Sequence, residues 1–336
     1  MTSKPIGVGF AAHHPAPMVV EAARTAERLG FDCFWVTDSH LIGREVLAML
    51  GALAVSTQRI GLGPGVSHLA GRHPSVLASA MATLDELAPG RIRLGIGVGD
   101  SGSNNLGVPR ASMAELESAV VGIRHLLQGT ETPGPGATPL RLSFAPTANT
   151  IPIYIASAGE RMQHLAGRIA DGALISAGPD DLPAAIANVR AGERAAGRSP
   201  GATRILMWTT VSVDDDPSIA RAAVRGAVAR RAMNALARSA RQGTLDSPDR
   251  AAFERLERVY DTHRHGTTSA HDLADLVPES WIDRYAIAGT PEQVRSGINQ
   301  AFTNGADEFA MILVGTRPGD RGSPELLENF VGRVLN

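Results

Sequence analysis

Short runs of Ile, Val and Leu recur along the whole chain, each separated from the next by a longer amphipathic stretch, and this alternation constrains the fold more than any other feature. A strand that is apolar throughout must be covered on both faces, as parallel strands are when crossover helices join them. Eight such runs can be read, at about 6–12, 31–37, 59–66, 91–98, 152–157, 172–177, 203–213 and 307–314. Between the first two, MVVEAARTAERLG puts Val19, Ala22, Ala23, Ala26 and Leu29 at helical spacing before Gly30 ends the run. Eight β/α units in 336 residues predict an α/β fold of the (β/α)₈ TIM-barrel type, a single domain over 1–336. Periodicity alone does not report closure, so a doubly wound open sheet is the structural alternative.

Two regions break the repeat. Residues 129–150, rich in Gly, Pro and Thr, read as a rim loop insertion or small hairpin. Residues 214–289 are too long for one crossover and read as a helical insertion before the last strand, of the kind that covers a barrel's active site. The charge balance, 32 basic against 34 acidic residues, carries no footprint for nucleic acid or a membrane surface and points to a small-molecule partner. The single cysteine, Cys33, rules out an internal disulfide framework and a cysteine metal cluster, which fits a reducing cytoplasm. No run approaches the roughly 20 apolar residues of a membrane span, and the N-terminus lacks the pattern of a secretory signal.

Barrel enzymes place their chemistry at the C-terminal strand ends, and those positions are polar here. The second strand ends in Thr37, Asp38, Ser39 and His40, the third in Gly65, Val66, Ser67 and His68, the fourth in Gly99, Asp100 and Ser101. Asp38 shares strand parity with Phe34 and Val36, so it faces the axis if they do. For either aspartate, capping of the next helix is the plain alternative. The runs GLGPGV (61–66) and GIGVGD (95–100) lack the spacing of a dinucleotide fingerprint; glycines alternating in a strand instead let a flat ligand approach the backbone. Among ten histidines, His13–His14 and the group His263, His265 and His271 prompt a metal-dependent hydrolase as a rival reading. The strand-one pair lacks the His-x-His pattern, so no metal is expected, and His13, His263 and His265 are read as polar groups near the substrate.

The stretches FDCFWVTDSH, RIGLGPGVSHLAGRHPSVLASAMATLDELAPGRIRLGIGVGDS, IPIYIASAGERMQHLAGRIADGALI and LVPESWIDRYAIAGTPEQV together resemble the luciferase-like monooxygenase superfamily. Within it they are most similar to the F420-dependent methylenetetrahydromethanopterin reductase branch. That resemblance implies a barrel and the deazaflavin coenzyme F420, with FMN as the alternative. It implies a cis peptide at Gly65–Val66, with Ser67 following, and a cofactor face along Gly97, Val98 and Gly99. Asp38 would lie beside the ring system, Asp100 would donate a proton, and Ser157, Ala158 and Gly159 would receive a phosphate. Sugar-phosphate and alcohol-oxidising relatives carry a histidine directly after the aspartate, where this chain has Ser39, with His40 one place later. The resemblance therefore favours hydride transfer to a C=C, C=N or similar acceptor, with Asp100, Asp38 and His40 as catalytic candidates. It also implies a homodimer. An FMN enzyme using O₂ and a barrel that binds flavin without turnover remain open.

Overall fold

Each of the eight apolar runs forms strand in the computed structural model, which describes residues 4–11, 13–134, 138–144, 150–259, 276–317, 320 and 322–336. The strands are β1 (Ile6–Ala11), β2 (Cys33–Thr37), β3 (Gly61–Pro64), β4 (Ser67–His68), β5 (Leu94–Gly97), β6 (Thr132–Pro133), β7 (Pro139–Leu140), β8 (Ile153–Ala156), β9 (Gly172–Ile175), β10 (Arg204–Val213), β11 (Ala286–Gly289) and β12 (Glu308–Leu313). The main sheet runs β3-β2-β1-β12-β10-β9-β8-β5-β4. Its two ends, β3 and β4, belong to one stretch of chain broken at the cis peptide Gly65–Val66. Below the break that stretch pairs with β2, and above it with β5. A parallel bridge from Leu62 to Ile92 completes the seam. The sheet thus curls into a parallel α/β barrel, and the open-sheet alternative falls.

The helices form where the sequence caps them. The helix Ala16–Arg28 buries Val19, Ala22, Ala23 and Ala26, and Gly30 follows it at a φ of 84°. Capping boxes start Met113–Leu127 at Ser112 and Glu115, and Pro291–Thr303 at Thr290 and Gln293. The stretch 129–150 contains the antiparallel pair β6–β7. Leu140 and Leu142 there border a groove with Ser75, Val76 and Leu126 of the outer helices. Within 214–289 stand the helices Pro217–Gln242, Ser247–Glu257 and Glu279–Tyr285, together with β11, a strand that the reading of this region as helical overlooked. β11 pairs with Thr210–Val213, along β10 beyond the Arg204–Met207 segment that β9 takes. Its sequence, AIAG, is too short and too small-chained to stand out as a strand.

Two apolar layers hold the barrel. Phe34, Val36, Leu62, Ile96, Ile155 and Met311 belong to the layer between strands and helices. Cys33, Trp35, Tyr154, Leu174, Leu206 and Ala310 fill the interior. Phe34 and Val36 therefore face outward, and the parity argument that would turn Asp38 inward with them fails. Asp38 lies past the end of β2, where alternation no longer governs direction. The floor of the interior is polar: the buried Glu308 carboxylate accepts from Tyr154 Oη at 2.7 Å, Arg93 Nη1 at 2.5 Å and Arg204 Nε. Burial opposes its ionisation, but the two guanidinium groups and the phenol outweigh burial and hold it below the usual carboxylate range. Burial pushes the Cys33 thiol beside it up to about 12. Among the described residues no helix is long and apolar enough to cross a membrane.

Candidate functional site

A cleft of about 430 Å³ opens at the C-terminal strand ends. Trp208 of β10 lines it and packs edge-on against the buried Trp35, with ring centroids 6.3 Å apart. Glycines make room for this indole. A Cβ on Gly9 would stand 2.6 Å from its ring, and one on Gly65 would stand 2.8 Å away. These strand glycines therefore admit the protein's own tryptophan rather than a ligand. Gly97 differs, since a Cβ there would stand 3.3 Å from Ala156 and Val66, tight but without meeting the indole, and its backbone forms part of the cleft wall. Val66, Val98, Ala156, Leu174 and Ile312 supply the apolar remainder. That combination of apolar walls and exposed backbone suits a flat ring with polar edges.

Asp38 sits on this wall, 9% exposed, and is fully engaged. Ser67 Oγ donates to its Oδ2 at 2.9 Å, and Arg72 reaches both oxygens, with Nη2 3.4 Å from Oδ1. Arg72 Nη2 also donates to Glu45 at 2.6 Å, and Glu45 in turn caps the helix Val46–Ser56 through Ala48 N–H. Burial works against the guanidinium charge, but the two carboxylates outweigh it and raise the Arg72 pKa further. Asp38 caps no helix. Its salt bridge to the partly buried Arg72 makes it part of the barrel rim's electrostatic frame as well as of the cleft. His68, 2% exposed, lies with Nε2 3.9 Å from Asp38 Oδ2, and neither ring nitrogen has a hydrogen-bond partner among the described residues. Burial depresses its pKa, with Arg72 and His40 adding to the effect against the pull of Asp38, so the ring is neutral at neutral pH.

Asp100 follows Gly99, whose φ of 92° turns the chain sharply at the end of β5. It precedes the short helix Ser101–Leu106 but makes no side-chain cap bond. Its two oxygens instead accept from Arg110 Nη2 and from Asn234 Nδ2. Asn234 lies on the helix Pro217–Gln242, whose Ala223, Gly226, Ala227, Arg230 and Asn234 line the cleft on one face. The adjacent Arg231 points the other way and ties the helix to the barrel. It donates to Trp208 O at 2.9 Å and Tyr285 O at 3.2 Å, and burial pushes its pKa down to about 10.

Ser157 and Ala158 line the cleft beyond β8, ahead of the helix Glu160–Ile169 capped by Gly159. Ser157 is turned inward: its N–H donates to Leu174 O at 2.8 Å and its Oγ to Ile155 O at 2.9 Å. What this corner offers an anion is therefore the helix N-terminus itself, with its unshared N–H groups and dipole.

The structure brings Asp38, Gly65, Val66, Ser67, Gly97, Val98, Gly99, Asp100, Ser157, Ala158 and His13 together in one cleft. Gly159 borders it as the helix cap. His40 does not line it; its carbonyl accepts from Asn105 Nδ2 at 2.7 Å. His263, His265 and His271 lie outside the described residues. No group of three His, Cys, Asp or Glu side chains suited to a metal occurs among those described. Sequence reasoning missed Arg72, Arg110 and Asn234. The small residues at helical spacing before Asn234 were the one available sign, since a helix that must pass close over a cleft shows a face of Ala and Gly.

A closed α/β barrel with its glycine-lined cleft at the strand C-termini defines a class of ligand-binding barrel, and the comparisons name it. Residues 5–308 match the luciferase-like monooxygenase family, and the chain belongs to that family. It is 34% identical over 293 residues to a 5,10-methylenetetrahydromethanopterin reductase of Archaeoglobus fulgidus, covering 85% of this chain and 86% of that protein. To the reductase of the same name from Methanolobus tindarius it is 28% identical over 319 residues, covering 90% and 92%. The solved structure of the coenzyme F420 dependent tetrahydromethanopterin reductase from Methanopyrus kandleri matches 98% of both chains at 25% identity, with a TM-score of 0.78.

Proposed function

We propose that this chain is an F420-dependent oxidoreductase that transfers hydride between the reduced deazaflavin and a small organic acceptor carrying a C=C, C=N or similar bond. The observation that carries the reading is full-length likeness to a coenzyme F420 dependent reductase, joined to a cleft whose walls fit that cofactor. Val66 and the Gly97–Gly99 backbone would hold the ring, and the Ala158–Gly159 helix start would hold the phosphate. When bound, the deazaflavin supplies the hydride. Asp100 then serves the substrate: held between Arg110 and Asn234, its carboxyl group carries the proton exchanged with the atom that gains negative charge. Asp38 and Arg72 keep the strand-two corner in place beside it. His40 has no part at the reacting centre in this reading, because its side chain is not on the cleft wall. The chain is also proposed to work as a homodimer.

A second reading, an FMN enzyme using O₂, is favoured by the family's own description as monooxygenases. Titration of the purified protein with F420 and with FMN separately, following cofactor fluorescence, decides between them. Tighter F420 binding is expected. Equal or tighter FMN binding, with O₂-dependent oxidation of reduced FMN, overturns the proposal.

A further inference from the structure

One charged side chain on the cleft wall stands without a partner among the described residues. Asp38 is matched by Arg72 and Asp100 by Arg110, and the neighbouring His68 is held neutral by burial. Arg230 remains, half-buried on the cleft face of the helix Pro217–Gln242, with no hydrogen bond or ion pair among the described residues. The next residue, Arg231, reaches only backbone carbonyls and one threonine hydroxyl through its two terminal nitrogens, and its buried Nε has no partner among the described residues, so it contributes a second positive charge that no described carboxylate offsets. The turn before Arg230 puts only the small Gly226 and Ala227 on the cleft wall, and Asn234 follows one turn later on the same face. A guanidinium held at the wall of a largely apolar cleft, with donors unused and a like charge on the next residue, favours an oxyanion in the cleft.

We propose that Arg230 is the anion-reading residue of this cleft, taking a carboxylate or phosphate group of the bound ligand. The proposal rests on the oxidoreductase reading for the identity of that ligand. An anionic acceptor substrate and the acidic tail of the cofactor are its two sources.

The test compares wild type with Arg230→Gln, and uses Arg241→Gln, an exposed position on the same helix, to measure the effect of charge removal alone. Two ligand pairs are titrated by calorimetry. The first is F420 and its chromophore lacking the phosphate-bearing tail; the second, on protein with and without F420, is crotonate and its neutral isostere crotonamide. Arg230→Gln is expected to weaken one anionic member by roughly 10- to 100-fold while leaving its uncharged counterpart unchanged. A loss confined to F420 assigns the anion to the cofactor tail, and a loss confined to crotonate assigns it to the substrate. Arg230→Gln that weakens neither by more than twofold, or an equal loss in Arg241→Gln, overturns the proposal. Should wild type bind neither chromophore, the cofactor reading fails, and the crotonate titration without cofactor still decides the role of Arg230.

Discussion

Asp100 shows how much of a residue's role depends on its partners. Alone at the end of a glycine-rich strand it has the same form as a helix cap, but its oxygens are taken by Arg110 and Asn234 and no cap bond exists. Asp100→Asn keeps an acceptor for one of those two donors and removes the carboxyl group to which the proposed reaction assigns the proton. Single-turnover reduction is expected to slow by about 10²- to 10⁴-fold with F420 affinity nearly unchanged; poor binding with normal reaction at saturation would place Asp100 in cofactor binding instead. His68 makes a different prediction. Its folded pKa lies below the ordinary value of 6.5, so on acidification the unfolded chain takes up a proton that the folded one resists. The stability tied to its neutral ring is complete above the unfolded value and is lost as pH falls from there through the depressed folded value. Urea midpoints of wild type should therefore drop more between about pH 7.5 and about pH 5.5 than those of His68→Gln. Parallel pH dependences in the two proteins would remove His68 as a contributor.

At the scale of elements, the cleft is shaped by what its strands omit. β1 and the strand-three turn carry Gly9 and Gly65 where the Trp208 ring passes, and that ring separates the filled barrel interior from the cleft. Gly9→Ala forces a methyl group into the indole's space. Overpacking of this kind costs about 1–3 kcal/mol, and the least resisted movement of the ring is into the cleft. Chemical denaturation should show the loss in stability, and F420 titration should show weakened binding; a variant matching wild type in both would mean that the indole shifts without consequence. The helix Pro217–Gln242 is placed by Arg231, which joins carbonyls of two separate segments, Trp208 and Tyr285. Arg231→Lys retains the charge but cannot span both carbonyls with one planar fork. Faster amide exchange along 217–242 is expected, and unchanged exchange would show that apolar packing alone seats the helix.

For the whole molecule, the expectation concerns assembly. The helices Val46–Ser56 and Pro74–Leu87 expose Val55, Val76 and Leu87 on the outside of the barrel. On the second of them, Ser75, Ser79 and Ala80 border a shallow groove with Leu140 and Leu142. Small residues flanked by exposed apolar ones suit close packing of a second copy. Light scattering should return the mass of two chains, and Val76→Asp should shift it toward one. A single-chain mass at all working concentrations rejects the dimer.

The sequence by itself determined the number and order of the β/α units, because a strand covered on both faces must be apolar along its length and a helix on a barrel must repeat its apolar residues at helical spacing. It also marked Asp38, Asp100 and the strand-end glycines, since polar residues at the C-terminal ends of buried strands are conspicuous in one dimension. Tertiary structure alone decided which way those residues act. Whether Phe34 or Trp35 faces the axis follows from the closure of the sheet, and alternation within one strand is the same either way. Arg110 and Asn234 meet Asp100 across 10 and 134 positions of sequence, and Arg72 meets Asp38 across 34. No local pattern records such a meeting, because it is set by how the barrel closes and how a distant helix lies across its mouth.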